Sequence, residues 1–198
     1  TLFFSSAGAC IAPSGPLLAQ HAGIDCEKAK GTVEEMLCSD QELLALDSLM
    51  SGVWLQVLES SSDNPDIKYI KAEQRGWIKG RNECWKAEDI RECVIESYRL
   101  RIAELKARWR LVGFRGPFFF TCDGNPSNEV VATFFGTDPP SAVLERGDRT
   151  VVAFLRPSGS GSRYEGMNVV FWNKGEEAMV VWGWEADTLR CVLRDPPD

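Results

Sequence analysis

The chain has 198 residues, 44% of them hydrophobic, which is enough to fill the cores of one or two domains and excludes disorder as the default reading. With 29 Asp and Glu against 22 Lys and Arg, its formal net charge is -7, so it repels nucleic acid and anionic membranes and attracts cationic partners. Seven cysteines without one Cys-x-x-Cys pair, and a single histidine, His21, argue against a structural zinc site and for disulfides made in an oxidising compartment.

The first 23 residues, "TLFFSSAGACIAPSGPLLAQHAG", carry no Asp, Glu, Lys or Arg and read as the tail of a secretory signal. Small residues before Cys10 suit a signal peptidase and form a weak lipobox, with Ala7 where leucine is usual, so Cys10 is a candidate lipid anchor. No other segment reaches the ~20 apolar residues of a membrane span.

Residues 24–112 have a helical period. In "SDQELLALDSLMSGVWLQVL", Ser39 or Asp40 can cap a helix, with Glu42 at a capping-box-like spacing from Ser39. Leu43, Leu46, Leu49, Met50, Val53, Trp54 and Val57 then form one apolar stripe. The turn formers of "SSSDNPD" end that helix. A second helix follows through "KYIKAEQRGWIKGRNECW", with Ile70, Trp77, Ile78 and Cys84 inward, and a third through "DIRECVIESYRLRIAELKARWR". The third opens on an acid and closes on Lys106, Arg108 and Arg110, which suits the helix dipole.

After "RWRLVGFRGP", a short and partly apolar connection that predicts contact between the halves, the period falls to two. "PFFFTCD", "EVVATFF", "SAVLER", "TVVAFLR", "NVVFWNK", "EAMVVWGWE" and "TLRCVLR" read as short strands of an antiparallel barrel or sandwich in residues 113–198. Val180, Trp182 and Trp184 are expected on one face. Cys122 and Cys191 can join the first and last strands, at a chain-entropy gain of roughly 4 kcal/mol. Three connectivities remain open to the other four cysteines. The local one pairs Cys26 with Cys38 and Cys84 with Cys93.

Catalytic machinery is hard to find. There is no Gly-x-Ser-x-Gly elbow, His-Glu-x-x-His or phosphate loop, and His21 lies in the leader, which leaves a nucleophilic triad without a base. Glu176 and Glu177 could serve a glycosidase only if they converged with other acids in a cleft, and they read as a solvated hairpin tip. The glycine-serine run by itself reads as a flexible linker.

Two segments change that reading. "SGSGSRY" at Ser158 to Tyr164 and "FWNKGEEA" at Phe171 to Ala178 resemble the paired signatures of the membrane-bound and periplasmic inhibitors of c-type lysozyme, with Gly159 and Ser162 where that family usually has alanine. The "FTCDG" around Cys122 and the "LRCVL" around Cys191 resemble its first and last strands with their disulfide. The resemblance covers about residues 117–194 and implies a small β-barrel that blocks a lysozyme active site without catalysis or cofactor. It implies that Ser160 and Lys174 reach the enzyme's catalytic carboxyls, that Gly161 and Gly175 shape the two turns, and that Arg163 and Tyr164 support the loop or its rim.

"IDCEKAKGTVEEMLCSDQELLALDSLM", "EQRGWIKGRNECW" and "CVIESYRLRIAEL" resemble the four-cysteine LprI-like helical domain of bacterial envelope proteins, a family also linked to lysozyme inhibition. The combined expectation is an α+β protein of two domains: a leader over 1–23, a disulfide-bonded all-α domain over 24–112 and a small antiparallel β-barrel over 113–198. It is placed in the bacterial periplasm or outer envelope, with a basic host lysozyme as partner and no nucleic acid or metal. The competing class is a module that recognises peptidoglycan or another envelope protein.

Overall fold

A computed structural model describes residues 23–61 and 64–194; all of the expected leader but Gly23, Cys10 and His21 included, lies outside the described residues. Four helices come first: α1 (Thr32–Ser39), α2 (Gln41–Ser60), α3 (Ile67–Asn82) and α4 (Ile90–Arg108), with a 3-10 turn at Glu83–Lys86. Asp40 is the residue that separates α1 from α2. Its carboxylate accepts the N–H groups of Glu42 and Leu43, while the Ser39 hydroxyl donates back to the Glu35 and Met36 carbonyls and so finishes α1 instead of starting α2. The first helix expected from the sequence opens at Ser39 or Asp40, so this eight-residue helix is additional to the three expected ones.

The helical core gathers Leu37, Leu43, Met50, Val53 and Val57 against Val94, Tyr98, Ile102 and Leu105. Leu49, expected in that stripe, sits at its edge and is 48% exposed; Ile78 likewise turns outward. A buried polar chain threads the core. Arg81 donates to the Tyr98 hydroxyl (2.6 Å), Tyr98 donates to Asp47 (2.7 Å), and the Ile24 N–H donates to the second oxygen of Asp47 (2.7 Å). Burial pushes the Tyr98 hydroxyl well above its ordinary range, so it remains a donor throughout the physiological pH range. Of the three open connectivities the structure adopts the local one, Cys26–Cys38 and Cys84–Cys93.

Eight antiparallel strands follow: β1 (Phe114–Cys122), β2 (Asn125–Phe135), β3 (Ser141–Arg146), β4 (Arg149–Arg156), β5 (Ser162–Gly166), β6 (Val169–Lys174), β7 (Glu177–Trp182) and β8 (Thr188–Arg194). They close in sequence order, with β1 pairing β8 and Cys122 directly opposite Cys191, to which it is bonded. Closure removes the sheet edges, so the fold is the barrel and not the sandwich. Phe120, Val130, Ala132, Leu144, Phe171 and Val180 fill the interior. β5, "SRYEG", was absent from the strands read by pattern, because five residues with one large apolar side chain give almost no alternation signal. Trp184 does not share the face of Val180 and Trp182. β7 ends at Trp182, Gly183 turns the chain at φ 127°, and Trp184 is left 77% exposed.

The halves meet along α4. Ala107 packs with Phe135 and Val143, backed by Val112 and Val152, and Arg99 donates to Asp138 at 2.7 Å.

Candidate functional site

Antiparallel pairing of β5 with β6 brings the two signature segments together. Ser162 lies opposite Asn173, so the loop before β5 and the turn after β6 emerge at the same end of the barrel. Gly161 fits them to each other. Its φ is +69°, and a Cβ there would collide with the Asn173 carbonyl oxygen and lie 3.2 Å from the Lys174 Cβ. The Trp172 indole N–H donates to the Ser160 carbonyl (2.7 Å), and the Ser158 hydroxyl donates to the Gly161 carbonyl (3.0 Å). Ser160 is therefore held by its own backbone while its hydroxyl stays at the surface. Gly175 also has a left-handed φ, +63°, but open space around it, so its role is to turn the chain.

Ser160 and Lys174 are both exposed and line one groove of about 550 Å³. Trp172, Met179 and Arg190, opposite one another across β6, β7 and β8, lie along its wall with Val192. Met179 and Val192 leave roughly half of their surface open. No carboxylate lies within ion-pairing distance of the Lys174 ammonium among the described residues. Glu176 and Glu177 are exposed where the hairpin turns. The site thus offers a hydroxyl, the Lys174 and Arg190 cations, neither ion-paired among the described residues, the Glu177 carboxylate and an apolar strip.

Arg163 and Tyr164 sit on β5 and part ways. Arg163 points outward to Glu165 (2.6 Å). Tyr164 faces the barrel interior with its ring 5.2 Å from that of Phe134; burial raises its hydroxyl above the ordinary value, which nearby Arg115 partly offsets. Of the groove residues, Trp172 was within a quoted signature and two places before Lys174, a spacing that puts both on one side of a strand. Met179, Arg190 and Val192 join them through the pairing of β6 with β7 and of β7 with β8, a register that strand patterning alone does not specify.

Both halves of the chain resemble known families. A family model described as membrane-bound lysozyme-inhibitor of c-type lysozyme matches residues 120–189, and one described as lysozyme inhibitor LprI matches residues 26–105. Lipoprotein LprI of Mycobacterium bovis, and of two strains of Mycobacterium tuberculosis, is 30% identical over 156 residues, which are 77% of this chain and 76% of the relative. The chain therefore belongs to the family of lipoprotein LprI, with an LprI-type helical region followed by a β-barrel of the c-type lysozyme-inhibitor kind.

Proposed function

We propose that this protein inhibits c-type lysozyme by seating the Ser160 loop and the Lys174 turn in the enzyme's active-site cleft. Such an enzyme works with two carboxyl groups, one kept protonated as the acid. The Ser160 hydroxyl would exchange a hydrogen bond with one, and the Lys174 ammonium would neutralise the other. The charge-assisted Lys174 contact is worth about 1.5–3 kcal/mol once water is excluded, and the neutral Ser160 hydrogen bond about 0.5–1.5 kcal/mol. The observation that carries this reading is the groove rim: two residues from opposite ends of the β5–β6 hairpin are both exposed there, with Gly161 and Trp172 fixing the Ser160 loop.

In this reading Gly161 and Gly175 shape the turns, Tyr164 supports the loop from the barrel interior and Arg163 belongs to the rim. The protein acts as a binder and not as an enzyme. We assign the helical unit to 24–112, the barrel unit to 113–198, and lipid anchoring in the bacterial envelope to Cys10.

The test is lysis of a bacterial cell-wall suspension by a c-type lysozyme, followed by turbidity, with wild type, Ser160→Ala, Lys174→Ala and the double variant. Lys174→Ala is expected to raise the concentration for half-inhibition about tenfold or more, Ser160→Ala to raise it less, and the double change to abolish inhibition. Full inhibition by the double variant would refute the site, and no inhibition by wild type would refute the function.

A further inference from the structure

A separate groove of about 870 Å³ shares no lining residue with the one at Ser160 and Lys174. Its walls come from Arg110 just beyond α4, from Phe119 and Val131 on β1 and β2, and from Arg146 and Arg149 on either side of the β3–β4 turn. It is thus built where the helical half joins the barrel, a common place for ligand sites.

Three arginines without an ion pair among the described residues gather here. Arg81, Arg91, Arg99, Arg101, Arg108, Arg163 and Arg194 are ion-paired, and Arg75, Arg115, Arg156 and Arg190, which are not, do not line this groove. Among the described residues, no carboxylate lies within ion-pairing distance of Arg110, Arg146 or Arg149. Arg110 sits 5.1 Å over the Phe114 ring, and Arg146 donates to the neutral Asn128 amide oxygen (2.9 Å). Two acids line the same groove; Glu129 is already paired with Arg194, which leaves Glu145 alone against three guanidinium groups. Trp182 lines it too. That residue is only 7% exposed, and its indole N–H is buried without a hydrogen-bond partner. The unused hydrogen-bonding capacity is mostly donor capacity, which calls for an oxyanion.

The groove is much larger than one oxyanion, and its walls alternate apolar side chains such as Phe119 and Val131 with hydrogen-bonding ones such as Ser127 and Glu145. A lipid tail would want the former alone. A sugar ring, with apolar faces and hydroxyl edges, uses both.

We propose that this groove binds an anionic sugar, with its carboxylate or phosphate held among Arg110, Arg146 and Arg149. The inference stands apart from the inhibition reading and concerns different residues. Its test is a titration of the intact, isotope-labelled protein followed by amide chemical shifts, using N-acetylmuramic acid, N-acetylglucosamine and inorganic phosphate as probes. The first two sugars differ by a lactyl carboxylate.

The expected result is saturable shifts in residues 126–131 and 145–149 with N-acetylmuramic acid and with phosphate, and none with N-acetylglucosamine at equal concentration. Arg149 is exposed at a turn, so Arg149→Ala should fold normally and weaken N-acetylmuramic acid binding about tenfold. Arg149→Lys, which keeps the charge and loses the fork, should fall between. Both variants should inhibit lysozyme as wild type does, because Arg149 does not line the Ser160–Lys174 groove. No saturable response to either anion, an equal response to the uncharged sugar, or wild-type affinity in Arg149→Ala would overturn the proposal. Saturable binding of phosphate without N-acetylmuramic acid would overturn its sugar part.

Discussion

Gly161 and Gly175 look equivalent in sequence, each a glycine in a turn beside a signature residue, yet their surroundings separate them. Gly161→Ala must accept a left-handed φ and also push Asn173 and Lys174 away, whereas Gly175→Ala meets only the φ penalty in open space. Gly161→Ala should therefore weaken lysozyme inhibition at least tenfold in the turbidity assay. Gly175→Ala should lower stability by about 1 kcal/mol in urea unfolding and change inhibition less. Similar inhibition by the two variants would argue against a Ser160 loop fixed by close packing. The sequence could nominate both glycines, because turn chemistry is local. It could not rank them, because the Asn173 carbonyl that decides the matter belongs to another strand.

At the scale of elements, helices with a wide apolar stripe and a side-chain cap were legible in outline. Asp89, whose carboxylate accepts the Glu92 N–H, opens α4 where the acid was expected. α1 escaped because its limits depend on Asp40, which is both its C-terminal neighbour and the cap of α2. Asp40 also carries a pH signature. Its carboxyl is held below the ordinary value of 3.8, first by hydrogen bonds from Arg91 and then by the backbone N–H of Leu43. Because the folded-state value is depressed, the stabilisation is present above about pH 4 and is lost as pH falls through the folded-state value. The urea midpoint of wild type should exceed that of Asp40→Asn at pH 6, and the gap should shrink toward pH 3. A gap independent of pH would show that the charge of Asp40 contributes nothing.

The three disulfides differ in what they close. Cys122–Cys191 spans 69 residues and Cys84–Cys93 spans 9. The chain-entropy model gives about 4 kcal/mol for the first and about 3 for the second. Replacing Cys122 and Cys191 together by serine should lower thermal stability more than replacing Cys84 and Cys93 together, as read by calorimetry. The barrel pair was legible because the first and last strands of a closed sheet must meet. The local pairs were only one of three arrangements until the turn after α3 was seen to fold Cys84 back onto Cys93.

For the whole molecule, a net charge of -7 should draw a basic enzyme at long range, while Lys174 would make an opposite, local contact at the docked rim. The association rate should fall steeply between low and physiological salt, with a much smaller change in the dissociation rate, as followed by surface plasmon resonance. Salt-independent association would remove the long-range part of this account. Two halves of different period, joined through a partly apolar connection, were readable from the chain. The contact of Ala107 with Phe135 and Val143 was not, since it depends on where the barrel places β2 and β3.

A double-mutant cycle would show whether Lys174 meets a catalytic carboxylate. Dissociation constants of wild type and Lys174→Ala would be measured by calorimetry against a c-type lysozyme and against the same enzyme with its ionised catalytic carboxylate converted to the amide. Losing Lys174 should weaken binding to the native enzyme about tenfold or more and have little effect on binding to the amide variant, a coupling above roughly 1 kcal/mol. An equal loss against both enzymes would contradict it.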